Sequence, residues 1–210
     1  MTLARGRVAP ELAAEFEHLR IYWTSCEARS GRSPEPVRHR LREMSNRVSG
    51  QKAIQMRQEA VPNAYRVFFR QVGIDPDERR TPAEQIILDR LKDGGFRSRN
   101  LLDDAITIAT YETGVPVIAF DADRVSPPLQ LRLAAPGEAM GAATRPLSGG
   151  QIVIAADGRP VGVPFLDVDR DCGVSRRTRR MLLVAIGVAG VPDISIEEAL
   201  WTVEEILSGT

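Results

Sequence analysis

The chain has 210 residues, which is enough for one domain with a substantial core or for two small subdomains packed closely together. Its hydrophobic content of 43% and charged content of 27% exclude a disordered or fibrous chain. The 28 basic and 28 acidic residues cancel, which excludes a general nucleic-acid binder with an overall basic charge, so any polyanion must bind a local patch.

The cysteines and histidines do not have the spacing of a metal site. Cys26 and Cys172 form no CxxC pair, and His18 and His39 are the two histidines. We therefore predict neither a metal nor a cofactor. No apolar run approaches the roughly 20 residues that span a bilayer, and the first residues lack an apolar signal core. These features predict a cytoplasmic protein without membrane contact, and they leave the oligomeric state open.

Two helical patterns fill the first 60 residues. Apolar residues recur at spacings of three and four from Pro10 to about Arg29, and after a break at 30–36 a second pattern continues to about Glu59. Residues 29–57 carry eight basic side chains against two acidic ones: Arg29, Arg32, Arg38, Arg40, Arg42, Arg47, Lys52 and Arg57 against Glu35 and Glu43. We interpret residues 1–60 as a basic helical extension that packs with a domain at 61–210 as one globular unit.

Three capped helices follow in the sequence. An apolar stripe predicts a helix that ends at Gly73, a typical left-handed cap. Thr81 and Glu84 have the spacing of a capping box at the start of the next helix. Asn100 is the predicted N-cap of the third helix, which Gly114 ends.

After Gly114 the pattern becomes β-rich. Three short segments are bounded by Gly and Pro, at 115–121, 129–134 and 151–165. Asp157 and Gly158 are typical of a hairpin turn within the last of these. Residues 175–190 fit either a helix or a buried strand, and residues 195–207 predict a final helix. Helices first, strands in the middle and a helix last predict an α+β fold.

Common catalytic motifs do not occur in the sequence. There is no GxGxxG, GxxxxGK[ST], GxSxG or HExxH pattern. Both histidines precede residue 60, which argues against a histidine-dependent triad. Any chemistry must therefore depend on positioning, on backbone dipoles or on groups of the substrate.

Several short motifs occur together in a fixed order. They are NAYRVFFRQVGIDP (63–76), RRTPAE (79–84), Asn100 with Asp104, ETGVPV (112–117), AFDADRV (119–125), LRLAAPGE (131–138) and TRRMLL (178–183). In order and approximate spacing they resemble the editing (B3/B4) domain of the phenylalanyl-tRNA synthetase beta subunit, and particularly its free-standing relatives. The resemblance covers about residues 60–187. It implies a central β-rich core flanked by helices.

The resemblance also implies a pocket. In the synthetase, this pocket accepts tyrosine wrongly attached to the phenylalanine tRNA, and water hydrolyses the ester. The matching positions here are Asn100, Asp104, Ile106, Thr107, Ile118 and Val184. Ile106, Ile118 and Val184 replace polar pocket residues of the bacterial pattern, and the family's Gly-rich loop has become GVPFLDVDRDCG at 162–173. Thr107 is the remaining polar candidate, and no catalytic residue is assigned.

Each candidate residue also has a purely structural interpretation. Asn100 and Asp104 suit the first turn of any helix, where they contribute about 0.5–2 kcal/mol. The predicted tRNA contacts, which can equally form a solvated surface, are Arg38, Arg42, Arg47, Arg170, Arg176, Arg177, Arg179 and Arg180.

Two hypotheses for the function remain open. The first is a tRNA-binding factor that hydrolyses mischarged aminoacyl-tRNA in trans. The second is a non-catalytic module that binds RNA or a small apolar ligand. The apolar replacements favour the second hypothesis, whereas the retained motif order favours a retained pocket shape.

Overall fold

The structure is a computed structural model that describes residues 2–141 and 145–209. The helices are α1 (Pro10–Glu15), α2 (Glu35–Arg47), α3 (Gly50–Met56), α4 (Ala60–Gln71), α5 (Pro82–Asp93), α6 (Leu101–Thr113) and α7 (Asp193–Ser208). The strands are β1 (Ala4–Arg5), β2 (Arg7–Val8), β3 (Arg20–Glu27), β4 (Val117–Asp121), β5 (Leu129–Leu133), β6 (Ala139–Met140), β7 (Arg145–Pro146), β8 (Ile152–Ala156), β9 (Arg159–Val163), β10 (Asp167–Val168) and β11 (Arg180–Gly187). The fold is α+β, as the sequence predicts.

The first sheet has four strands in the order β1-β3-β11-β4. Its central strand β11 pairs antiparallel with β3 on one side and with β4 on the other. Every residue of β11 after Arg180 is buried, which explains why this run is apolar without alternation. The open choice between helix and strand at 175–190 is thereby decided for a strand.

The predicted helix from Pro10 to about Arg29 is wrong beyond Glu15. Helix α1 ends there, and β3 follows over Arg20–Glu27. Ile, Tyr, Trp and Thr at 21–24 are residue types that fit a pleated surface, and the pairing with β11 over the whole strand overrides the helical spacing. The first 60 residues therefore contribute strands to both larger sheets, whereas a domain boundary at residue 60 stays a prediction.

The second sheet has five strands in the order β10-β9-β8-β5-β2. Its β8–β9 hairpin turns at Asp157 and Gly158, which have φ values of 50° and 77°. Positive φ at both central residues is the geometry of a type I′ turn, so the predicted hairpin is confirmed. Strands β6 and β7 form a separate short pair.

Helices α6 and α7 pack together beside the first sheet. Asn100 caps α6 by accepting a hydrogen bond from the Asp103 N–H at 3.0 Å, and Gly114 ends the helix with a φ of 73°. Both predicted ends of this helix are confirmed. No helix in the described ranges is both long and apolar enough to cross a membrane.

A group of paired charges joins α3, α4 and α5, and we call it the Arg66–Glu84 cluster. Its members are Arg57, Arg66, Asp77 and Glu84. The guanidinium of Arg66 lies 2.6 Å from Glu84 and 2.9 Å from Asp77, while Arg57 lies 3.0 Å from Glu84. Arg66 and Glu84 are buried, and Glu84 also closes the predicted capping box with Thr81. Hydrogen bonds from Arg66 and then Arg80 hold the pKa of Asp77 below its ordinary value.

A second charged pair closes the loop after β5. Arg132 makes a two-pronged contact with Glu138, at 2.6 and 2.8 Å, and the Ala135 N–H donates to the same carboxylate. The hydrogen bonds from Arg132 lower the pKa of Glu138. Within the LRLAAPGE motif, the ion pair between Arg132 and Glu138 therefore holds the two ends of the loop together.

Candidate functional site

The main candidate site is a groove along β4, the edge strand of the first sheet, and we call it the edge groove. Its other walls are α5, α6 and the segment 163–168, and its volume is about 560 Å³. The apolar lining residues are Pro82, Ile86, Ile106, Pro116, Val117, Ile118, Ala119, Val163, Phe165, Leu166 and Val168. The polar ones are Arg80, Gln85, Thr110 and Asp167. The groove therefore offers a mainly apolar surface with a few polar groups, as small-molecule sites do.

The structure brings two of the six predicted pocket residues into this lining. Ile106 and Ile118 both face the groove, from α6 and from β4. Val184 is the strand partner of Ile118, but its side chain is wholly buried. Thr107 is half-buried on α6 and is not part of the lining among the described residues. A ligand in the groove would therefore meet Ile106 and Ile118 directly, with Val184 behind them.

Asn100 and Asp104 lie at the start of α6, where the side chain of each makes hydrogen bonds that stabilise the fold. Asn100 caps the helix and accepts a hydrogen bond from the Ser30 hydroxyl at 2.9 Å. Asp104 is buried, and its carboxylate accepts from the hydroxyls of Ser33 and Ser98 and from the backbone of residue 99. Both carboxylate oxygens of Asp104 are thus engaged within the protein.

The segment 163–168 is held by an aromatic contact that the sequence patterns do not reveal. Phe165 has a φ of 62°, which is rare for a residue with a side chain. Its ring packs against Tyr65, Phe68 and Phe69, with centroids 5.3, 6.1 and 5.8 Å away. This packing fixes the groove wall at the place where the resemblance leads one to expect a Gly-rich loop.

Thr110 is a second lining residue that sequence reasoning missed. It follows Ile106 by four residues, so both lie on the same face of α6. Only 1% of its surface is exposed, yet it lines the groove. Extending the helical face from Ile106 by one turn would have found it.

A second cavity of about 460 Å³ lies on the other side of the segment 163–166. Phe16 and Phe68 form part of its wall, together with the Gly149-Gly150 turn. It shares Val163, Phe165 and Leu166 with the edge groove, so this short segment separates the two spaces.

The predicted tRNA contacts near the C-terminus fall into two groups. Arg170, Arg176 and Arg177 are exposed, and the described residues include no acidic partner for them. Arg179 donates to three carbonyl groups of its own loop, at 176–178, and Arg180 pairs with Asp123 at 2.7 Å. Three guanidinium groups of this loop are therefore available to an anion.

The N-terminal arginines are mostly neutralised. Arg38 and Arg42 both contact Glu35 at 2.6 Å, and the hydrogen bonds from Arg42 and then Arg38 lower the pKa of Glu35 to about 2. Arg40 likewise pairs with Glu112. Arg47 is exposed and has no acidic partner in the part of the chain that the structure describes.

The two cysteines lie outside the edge groove. Cys26 and Cys172 are buried free thiols, and burial raises the pKa of each to about 11. Such thiols are poor nucleophiles at neutral pH. Within residues 2–141 and 145–209, no cluster of His, Cys, Asp and Glu side chains has the arrangement of a metal site.

Comparison with known proteins identifies the family. The family model of the B3/4 domain matches residues 64–198, which include the edge groove and three of the four members of the Arg66–Glu84 cluster, Arg57 being outside the match. The chain belongs to the B3/4 domain family. The edge groove, with Ile106 and Ile118 in its lining, therefore lies within the B3/4 domain.

Two curated proteins match about half of this B3/4 chain. The phenylalanine–tRNA ligase beta subunit of Gloeobacter violaceus is 33% identical over 108 residues, which are 50% of this chain and 14% of that protein. The phenylalanine–tRNA ligase beta subunit of Pasteurella multocida is 28% identical over 109 residues, with the same coverage of 50% and 14%. The chain thus spans a small part of the length of these relatives, and the similarity relates it to a synthetase-associated domain.

Proposed function

We propose that this domain binds the aminoacylated 3′ end of a tRNA and hydrolyses a wrongly formed aminoacyl ester in trans. The observation that carries the proposal is the edge groove, an open space of about 560 Å³ lined by Ile106 and Ile118. These are the positions at which the resemblance implies an editing pocket. Small-molecule sites commonly have volumes of about 300–1,000 Å³, so the groove is large enough for an aminoacyl group.

Hydrolysis of this ester does not need a side-chain nucleophile. Water adds to the ester carbon, the bond from that carbon to the ribose oxygen breaks, and the ribose oxygen takes a proton from the water. The protein has to orient the water and stabilise the negative charge that develops on the carbonyl oxygen. Backbone N–H groups can do this, so the absence of a histidine from the groove is no obstacle.

The exposed arginines of the loop before β11 would hold the tRNA backbone. Arg170, Arg176 and Arg177 present guanidinium groups without acidic partners among the described residues, and such groups suit phosphate. By contrast, the predicted contacts at Arg38 and Arg42 are already paired with Glu35. We therefore assign most of the proposed phosphate binding to the loop. We propose a cytoplasmic location as well, because the proposed substrate is used in translation.

A binding module without hydrolysis is the second candidate. Ile106 and Ile118 are apolar where the bacterial pattern has polar pocket residues, and Val184 is too deeply buried to contact a ligand. These three positions support retention of a ligand-binding shape without retention of the original specificity. The ligand would then be RNA or a small apolar molecule.

Deacylation of a panel of correctly charged and mischarged tRNAs tests the proposal. We expect selective hydrolysis of one ester, reduced at least tenfold by Ile106→Trp, which fills the groove. Ile54→Trp is the matched control, because Ile54 is 67% exposed on α3, outside the groove. Absence of hydrolysis across the panel by the folded protein would contradict the enzyme and favour the binding module.

Salt-dependent tRNA affinity tests the RNA contact separately. Replacing Arg176 and Arg177 by Gln should weaken binding and reduce its salt dependence, because fewer phosphate counterions are released. Arg38→Gln should have little effect, since Arg38 is paired with Glu35. If Arg38→Gln weakened tRNA binding as much as the replacements of Arg176 and Arg177, phosphate binding could not be assigned to the loop before β11.

A further inference from the structure

The outer edge of β4 has backbone groups that the sheet does not use. The Ala122 N–H donates to the Arg180 carbonyl on the β11 side, whereas the Asp121 N–H donates to the Cys172 carbonyl on the opposite side. Successive residues of a strand direct their N–H and C=O groups to alternate sides. Val117, four residues before Asp121, therefore directs both groups away from β11.

These groups of Val117 open into the edge groove. Val117 is a lining residue, and the described residues provide no hydrogen-bond partner for its N–H or C=O on this side. Farther along the edge, Gly173 bridges Phe120, so that end of the strand is covered. Unpaired backbone groups beside apolar side chains are costly unless water or a ligand satisfies them. Val117 thus presents a donor and an acceptor side by side to whatever occupies the groove.

Thr110 adds a second polar group to the groove lining. It lies on the same face of α6 as Ile106 and is 1% exposed. The neighbouring helical residue Thr113 donates to the Ala109 carbonyl at 2.7 Å. Thr110 is therefore placed to contact a ligand in the groove.

We propose that the edge groove binds an L-α-amino acid group as an additional residue of the sheet edge. The ammonium of the ligand donates to the Val117 carbonyl, and the Val117 N–H donates to the ligand carbonyl, as opposite residues do in an antiparallel pair. Thr110 adds a further polar contact, and the apolar side chain of the ligand packs on Ile106 and Ile118. This inference rests on the proposed function, in which the ligand is the aminoacyl group of a tRNA.

This arrangement identifies the atoms that hydrolysis would use. The Val117 N–H points at the carbonyl oxygen of the bound ester, which is the atom that gains negative charge as water adds. A fixed backbone donor at that position stabilises this charge. It also explains how a groove lined by Ile106 and Ile118 selects an amino acid over a general apolar molecule.

Titration followed by amide NMR tests this inference with two probes, L-phenylalaninamide and 3-phenylpropanamide. The second probe has the same ring and amide but lacks the ammonium. We expect L-phenylalaninamide to shift the Val117 amide resonance, and 3-phenylpropanamide to bind roughly tenfold more weakly because the bond from the ammonium is lost. Equal affinities, shifts confined to the second cavity, or no binding of L-phenylalaninamide would each overturn the inference.

Two isosteric variants on α6 sharpen the result. Thr110→Val should weaken binding of L-phenylalaninamide several-fold, whereas Thr107→Val should not, because Thr107 lies outside the groove lining. A larger loss of binding in Thr107→Val than in Thr110→Val would overturn the role of Thr110. The comparison of the two probes uses the unmodified protein, so it remains valid even if a variant fails to fold. The titration does not measure turnover, so failure of the deacylation panel would contradict hydrolysis and leave this binding result intact.

Discussion

The Arg66–Glu84 cluster and the edge groove lie on two sides of α5, and their residues are packed and paired very differently. On one side, Arg66 and Glu84 are motif residues that are buried and paired at 2.6 Å. On the other, Ile106 and Ile118 are half-buried and line an open groove. The charged residues that hold the helices together are thus separate from the residues that line the groove.

Mutual dependence explains this difference. The buried members of the cluster, Arg66 and Glu84, depend on each other, because removal of one leaves the other buried with less compensation for its charge. The groove residues Ile106 and Ile118 are half-buried and pack without obligatory polar partners. Replacement of a groove side chain should therefore cost little stability, while replacement of Arg66 or Glu84 should cost much more.

The largest expected effect comes from Arg66→Met. This change leaves Glu84 buried with Arg57 as its remaining ionic partner, and loss of a buried partner costs about 3–5 kcal/mol. Urea unfolding followed by circular dichroism measures the free energy of unfolding. Arg180→Met is the control, since the exposed Arg180–Asp123 pair should contribute less than about 1 kcal/mol. Similar losses in the two variants would remove the distinction between buried and exposed pairs.

Gly114→Ala should have the next largest effect, because Gly114 connects α6 to the groove edge. Its φ of 73° is unfavourable for alanine by about 1–2 kcal/mol, and a Cβ would lie 3.0 Å from Pro62. Crowding of this kind costs about 1–3 kcal/mol more. Gly94 has a φ of 76°, but an added Cβ would have no atom within 4 Å. Gly94→Ala therefore measures the cost of the backbone conformation alone. If both variants lose the same free energy of unfolding, the contact with Pro62 is unimportant.

Glu138→Gln tests a paired charge outside the groove by its pH dependence. Because Arg132 lowers the pKa of Glu138 in the folded protein, the unfolded chain binds more protons as the pH falls below 4.5. The stabilisation is complete above that pH and is lost as the pH falls through the folded pKa. We expect a loss of about 1–2 kcal/mol at pH 7 that shrinks progressively below pH 4.5. A loss that stays constant between pH 7 and pH 3 would show that the charge of Glu138 is not responsible.

Much of the secondary structure was predictable from local sequence patterns. The capping box at Thr81, the cap at Asn100 and the hairpin at Asp157 each depend on a few neighbouring residues, and the structure contains all three. The strand at 20–27 was not predictable in the same way, because its pairing with β11 joins residues about 160 positions apart. Sequence spacing alone therefore favoured a helix there.

The edge groove was less predictable from the sequence than the helices and strands. Ile106 and Ile118 could be found from the motif order, but the contribution of Val117 is a free backbone edge, which no side-chain pattern reveals. Phe165 lines the groove because its ring is held by residues of α4, nearly 100 positions earlier in the chain. Tertiary packing and strand order, both absent from local patterns, decide these features.

The smallest expected effect is that of Ile106→Thr, which tests the groove itself. Ile106 is half-buried and faces open space, so water can reach the new hydroxyl, and we expect a loss below about 1 kcal/mol. Ile108→Thr on the same helix is the matched control. Ile108 is wholly buried, and its replacement loses apolar burial of about 0.8 kcal/mol per methylene and adds an unsatisfied hydroxyl at about 1–3 kcal/mol. Comparable losses in urea unfolding would mean that Ile106 is packed as core and that the groove is closed at this point. A clear difference would show that the groove tolerates a polar replacement that the buried core on the same helix does not.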